Sequence, residues 1–158
     1  METFENNPAE NINSPEFKNS FQEVVMLLKP GAAQFEQGIY EFCDKNGLTV
    51  IGRNQLKFDE EKIKEFYPKS IGRSWLEPMK EYFAQDEVVA LMVEGPNAMN
   101  ILNDLKRRFR GIMNLKVPED RFHVSDSVSE TERERKVVGF DNTVPNQSIH
   151  QNIDLGNR

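Results

Sequence analysis

The chain is poor in the residues most used for covalent and redox chemistry. It has 158 residues, one cysteine (Cys43) and two histidines (His123 and His150). A single cysteine excludes an intrachain disulfide. Two histidines mean that any nucleophilic or acid–base imidazole is one of those two. No apolar run is long enough to span a bilayer. The acidic, Asn-rich N-terminus has no charged-then-apolar signal layout, so a soluble, cytoplasmic protein is expected by default, with export by a route that needs no signal left open. Positive charge is also short: the formal net charge is −6 and the sequence pI is about 5.1. That balance argues against a non-specific nucleic-acid binder. The strands expected below are aliphatic, with Phe122 nearly alone among them, which argues against a base-stacking sheet.

The length fits one compact domain with a sizeable core. Residues 1–20 lack an apolar period and carry two prolines; they are expected as a disordered or loosely ordered arm. Residues 21–140 are expected to fold, and 141–158 read as a polar tail. Val24-Val25-Met26-Leu27-Leu28 is a continuous apolar run and reads as a buried strand, ended by Lys29-Pro30-Gly31. A helix is expected over 32–45, with Phe35, Ile39, Phe42 and the core filler Cys43 inward; Asn46-Gly47 ends it. A second strand covers 48–58. Asp59 caps a short helix to Phe66, and Ser74 caps another carrying Trp75, Met79 and Phe83. Val88 to Val93 is the clearest strand. Pro96 opens a helix with Ala98, Leu102, Leu105 and Phe109 inward, stopped at Gly111. Phe122-His123-Val124 is the fourth strand, and 131–138 the last helix. The order β-α-β-αα-β-α-β-α fits an α+β, ferredoxin-like layout: a four-stranded antiparallel sheet with helices on one face.

His123 stands in Asp120-Arg121-Phe122-His123-Val124-Ser125-Asp126-Ser127, with Glu134 eleven positions on. If Phe122 points into the core, His123 points to the other face. On the residues alone it is either a surface histidine ending a strand or a nucleophile. The second reading needs a neutral ring with one nitrogen held by an acid. Glu134 is the leading partner, Ser125 can donate nearby, and Asp126 and Ser127 fit capping of the last helix. Phosphoryl transfer needs cations around the migrating group. Lys29 and Arg110 are candidates, and Asn103, Arg107 and Arg110 share one helix side. Each also has a plain reading, as a surface lysine or a solvated helix end. A nucleotide base needs an apolar slot. Trp75 could form one wall and Val117 the other, although Trp75 also fits a core or interface anchor. The Tyr67 hydroxyl is placed to reach a phosphate.

Taken together, Val-Val-Met-Leu-Leu-Lys29-Pro30, Phe66-Tyr67, Val88 to Gly95, Arg110-Gly111 and His123-Val124-Ser125-Asp126-Ser127 resemble the nucleoside diphosphate kinase family over roughly 23–139. The resemblance implies a ping-pong kinase. His123 would take the terminal phosphoryl group of a nucleoside triphosphate and pass it to a nucleoside diphosphate, with Mg2+ bridging the phosphates and no protein-only metal site. By position, Lys29, Tyr67 and Arg110 would face the phosphates. Trp75 would stack the base opposite Val117, and Ser125 and Glu134 would support the ring.

The departures from the family pattern are Gly31 for aspartate, Asp120 for a ribose-contacting asparagine, Val124 for glycine and Asn103 for a phosphate-binding arginine. The loop before Arg110 is also markedly shorter, and a phosphate-contacting threonine goes with it. Each lost charge-assisted contact is worth about 1.5–3 kcal/mol, and Arg107, one turn after Asn103, is the expected replacement. Because the family builds trimers within hexamers through that loop, a homodimer is expected rather than a hexamer. The alternative function is a weak or inactive nucleotide-binding or interaction module on the same fold.

Overall fold

The structure, a computed structural model, describes residues 20–113 and 121–140, apart from the side chains of 110–113. Strand β1 spans Phe21–Leu28. After a 3-10 turn at Ala33–Phe35, α1 covers Glu36–Lys45 and β2 Thr49–Leu56. Then come α2 at Glu60–Phe66, a 3-10 turn at Pro68–Ser70, and α3 at Leu76–Phe83. Strand β3 (Val88–Pro96), α4 (Ala98–Met113), β4 (Phe122–Val124) and α5 (Val128–Val137) complete the order. The sheet order is β2-β3-β1-β4, and every neighbouring pair is antiparallel. This is the ferredoxin-like α+β arrangement.

The helices do not keep to one face, contrary to the sequence expectation. Val24, Met26 and Leu28 of β1 join Ile39 and Cys43 of α1 and Met99 and Leu102 of α4. Val25 and Leu27 face the other way, into Ile63 and Phe66 of α2, Met79 and Phe83 of α3, and Val138 and Phe140. The physical reason lies in the strand itself. An antiparallel strand with one wet face alternates, whereas a run apolar at every position must be covered on both sides. Residues 24–28 are all essentially inaccessible.

Local chemistry sets the element ends. Asp59 caps α2, its Oδ1 accepting the Lys62 N–H at 2.9 Å. Ser127 caps α5 through the Glu130 N–H at 3.1 Å. Ser74 is not a cap; Trp75 occupies that position without a side-chain bond. Pro96 closes β3 rather than opening a helix, and the turn is made at Asn97 with φ 58°. Gly111 lies inside α4. A glycine costs a helix about 1 kcal/mol, which the packed face of Ala98, Met99 and Leu102 outweighs.

The corner after β1 is tightly bound. Lys29 N–H donates to the Arg121 carbonyl at 2.9 Å, and the Tyr82 hydroxyl donates to the Pro30 carbonyl at 2.6 Å. Gly31 has φ +94°, and a Cβ there would lie 2.4 Å from an Arg121 guanidinium nitrogen. That guanidinium also donates to the Gly31 carbonyl at 3.0 Å. The absence of a side chain at Gly31 is therefore matched by Arg121.

Candidate active site

Strand β4 presents the imidazole. Leu27 of β1 pairs with His123. Phe122 packs among Phe35 and Phe109 on the α1–α4 side, so pleating sends His123 to the opposite face. There the rings of Phe66 and Tyr67 meet it edge-on, with centroids 4.7 and 5.3 Å away. The His123 side chain is 16 % exposed, enough to reach a substrate from a mostly dry setting.

Helix α5 carries Glu134 back over β4. Its carboxylate is 1 % exposed, and Oε2 lies 2.9 Å from His123 Nε2. Nε2 makes no well-aligned hydrogen bond, so the contact is a close electrostatic approach off the line of the N–H. The other oxygen, Oε1, accepts from the Ser125 hydroxyl at 2.8 Å. Ser125 is itself pinned: its N–H donates to the Val25 carbonyl at 3.0 Å, and its hydroxyl accepts the Val25 N–H at 3.1 Å. Asn103 Nδ2 donates to the Ser125 carbonyl at 2.9 Å and to the Met99 carbonyl at 2.9 Å. Asn103 thus serves as a brace under β4. With Nε2 turned to the acid, Nδ1 is the nitrogen left for nucleophilic work.

His123 opens on a cleft of about 260 Å³. Tyr67 and Trp75 form its aromatic side, Lys69 and Arg133 supply positive charge, and Asp126 and Glu130 supply carboxylates. Trp75 is 40 % exposed, so an apolar face is open to a ligand. A larger hollow of about 360 Å³ at the start of β1 is lined by Phe21, Met99, Val128 and Glu132 among others. Its lining includes neither a histidine nor a cation, so size alone does not locate the chemistry.

The structure brings His123, Glu134, Ser125, Tyr67 and Trp75 together. Lys29 is buried, with Nζ 6.0 Å from the centre of the Tyr67 ring. Arg107 is not brought to the cleft: its side chain is 62 % exposed, and Nη2 lies 4.0 Å from Asp104. The Arg110 side chain, Val117 and Asp120 lie outside the described residues. Sequence reasoning missed Lys69 and Arg133. Arg133 was legible in principle, because Glu130, Arg133 and Glu134 share one helix face by their +3, +4 spacing. The alternating charges from Glu130 to Lys136 hid it, since such a run reads as a solvated face.

Comparison with known proteins gives the same direction. A family model for nucleoside diphosphate kinase matches residues 22–143. A nucleoside diphosphate kinase of Methanocaldococcus jannaschii is 23 % identical over 128 residues, covering 73 % of this chain and 91 % of the relative. One from Desulfitobacterium hafniense is 28 % identical over 126 residues, covering 72 % and 84 %. Among solved structures, the apo nucleoside diphosphate kinase of Encephalitozoon cuniculi superposes with a TM-score of 0.72 at 19 % identity, over 84 % of this chain and 98 % of that one. The fold, the order of its motifs and a family match spanning most of the sequence agree: the chain belongs to the nucleoside diphosphate kinase family.

Proposed function

We propose that the protein is a nucleoside diphosphate kinase working through a phosphohistidine on His123. The observation that carries this reading is the Ser125–Glu134–His123 relay, which ends in a half-buried imidazole on a cation-bearing cleft. The lone pair of Nδ1 attacks the terminal phosphorus of a nucleoside triphosphate. An N–P bond forms, the P–O bond to the β-phosphate breaks, and the nucleoside diphosphate leaves. In the second half, a terminal phosphate oxygen of another diphosphate attacks phosphorus and the N–P bond breaks, restoring the neutral ring. Glu134 steadies the ring at Nε2 through both halves, while Ser125 fixes the rotation of the carboxylate. Lys29 and Lys69 offset charge on the transferring group, and Trp75 offers its ring face to the base.

Magnesium suits the site as a passenger on the nucleotide. Mg2+ is usually held by one or two carboxylates together with substrate phosphates, and Asp126 and Glu130 line the cleft. When bound, it neutralises phosphate charge. We place the protein in the cytoplasm as a dimer, the shortened loop removing the family's trimer contact. No helix among the described residues is long and apolar enough to cross a membrane.

The test is phosphoryl exchange between one labelled triphosphate and a different diphosphate. Parallel-line ping-pong kinetics, lost in His123→Ala, are expected. Nucleotide-induced thermal stabilisation without exchange would favour the alternative, a binding module. The observation on that side is Asn103, a buried brace where the family has a cation.

A further inference from the structure

Arg133 has a place that the phosphoryl-transfer scheme leaves unexplained. Its Nη2 donates to the Phe66 carbonyl at 3.3 Å and lies 3.6 Å from Glu134 Oε2, the same oxygen that meets His123 Nε2. One nitrogen therefore touches both structures that hold the imidazole: the acid behind it and the end of α2, whose Phe66 and Tyr67 rings wall it in.

The charge balance points the same way. Glu134 is 1 % exposed, and a buried carboxylate needs a compensating charge as well as hydrogen bonds. A nucleophilic imidazole is neutral and cannot supply it. Among the described residues, Arg133 is the one permanently charged group paired with this carboxylate. Its Nε is buried with no hydrogen-bond partner, so that nitrogen gives up solvation to hold this position.

We propose that Arg133 is a positioning residue for the nucleophile. It ties the Glu134 carboxylate and the Phe66 carbonyl into one frame, so that Nε2 is kept at the acid and Nδ1 is turned to the cleft. The proposal rests on the phosphohistidine reading above. It differs from a substrate-gripping role, which would show as weaker nucleotide binding, and from a purely structural role, which would leave the ring's proton where it was.

The test uses the full chain with 15N-labelled histidine, which gives a simple spectrum because only His123 and His150 are present. The variants are Arg133→Met, which keeps the stem, Arg133→Lys, which keeps the charge, and Arg133→Gln should the Met variant fail to fold. In wild type at mildly alkaline pH, the His123 ring should carry its proton on Nε2. Arg133→Met should mix the two tautomers and slow the phosphorylation step by about tenfold, with KM changed by less than about twofold. Arg133→Lys should restore most of both. A wild-type tautomer in the Met and Gln variants would overturn the proposal, as would a loss expressed in KM alone. If wild type never takes up phosphate, the kinase reading falls, while the tautomer comparison still decides the role of Arg133.

Discussion

Truncating Glu134 separates the proposed chemistry from simple folding. The carboxylate is fully buried and meets Ser125 at 2.8 Å, His123 at 2.9 Å and Arg133 at 3.6 Å. In Glu134→Ala the Ser125 hydroxyl loses a charge-assisted bond worth about 1.5–3 kcal/mol. It keeps the Val25 carbonyl at 3.3 Å as a second acceptor. Arg133 is 39 % exposed, so its orphaned charge regains water, and removing a buried anion also relieves desolvation. The net stability loss should therefore be about 1–3 kcal/mol, below the cost of breaking a fully buried ion pair. The chemical step should suffer more. With nothing at Nε2 the ring can turn, and misplacement of a reacting group typically costs about a hundredfold. Glu134→Gln keeps an acceptor without the charge and should lose about tenfold. Urea unfolding gives the first quantity, and single-turnover phosphorylation with a labelled triphosphate gives the second. A folded Glu134→Ala protein phosphorylated at the wild-type rate would refute the reasoning, because the 2.9 Å contact would then have no part in the chemistry.

Other consequences are open to test. Gly31→Ala should destabilise by about 1–2 kcal/mol from the left-handed backbone alone, and more where the Arg121 guanidinium is displaced, read from the urea midpoint; no change would mean that the corner relaxes freely. Burial works to raise the Glu36 carboxyl, but the Arg53 hydrogen bond, the Tyr40 hydroxyl and the Arg53 charge together hold it below 4.5. A depressed carboxylate contributes stability above its unfolded value that is lost as pH falls through the lower folded value. Glu36→Gln should therefore be less stable than wild type at neutral pH and converge with it in acid; a gap independent of pH would contradict this. Burial, with a smaller contribution from Asp44, pushes the Cys43 thiol up to about 12. A thiol reagent should therefore label Cys43 only as fast as the protein unfolds, and rapid stoichiometric labelling of native protein would count against the packing.

Much of this was legible in the chain because some residues have few ways to be satisfied. Val24 to Leu28 reads as a buried strand, and Phe122, packed on the α1–α4 side, sends the neighbouring imidazole to the opposite face of the sheet. Asp59 and Ser127 announce helix starts that the structure shows. Legibility failed where several weak signals compete. Ser74 resembles a cap as strongly as Ser127 does, yet the chain enters α3 through Trp75. Gly111 is a helix stop only when packing does not outweigh its entropy cost. Covering both faces of the sheet follows from the continuous run in β1, whereas the ferredoxin-like order by itself accounts only for the crossover helices on one face. Arg107 shared the right helix side by spacing, but spacing does not say which side the cleft is on. Arg133 sat one residue from Glu134 among alternating charges, and only the return of α5 over β4 shows that it faces the imidazole.

The most direct measurement is phosphorus–nitrogen correlation by NMR on 15N-histidine-labelled protein after exposure to a nucleoside triphosphate and magnesium. A single phosphorus bonded to Nδ1 of His123, discharged by added nucleoside diphosphate and absent in His123→Ala, is the predicted result. Phosphorus on Nε2, on His150, or on no histidine would contradict it.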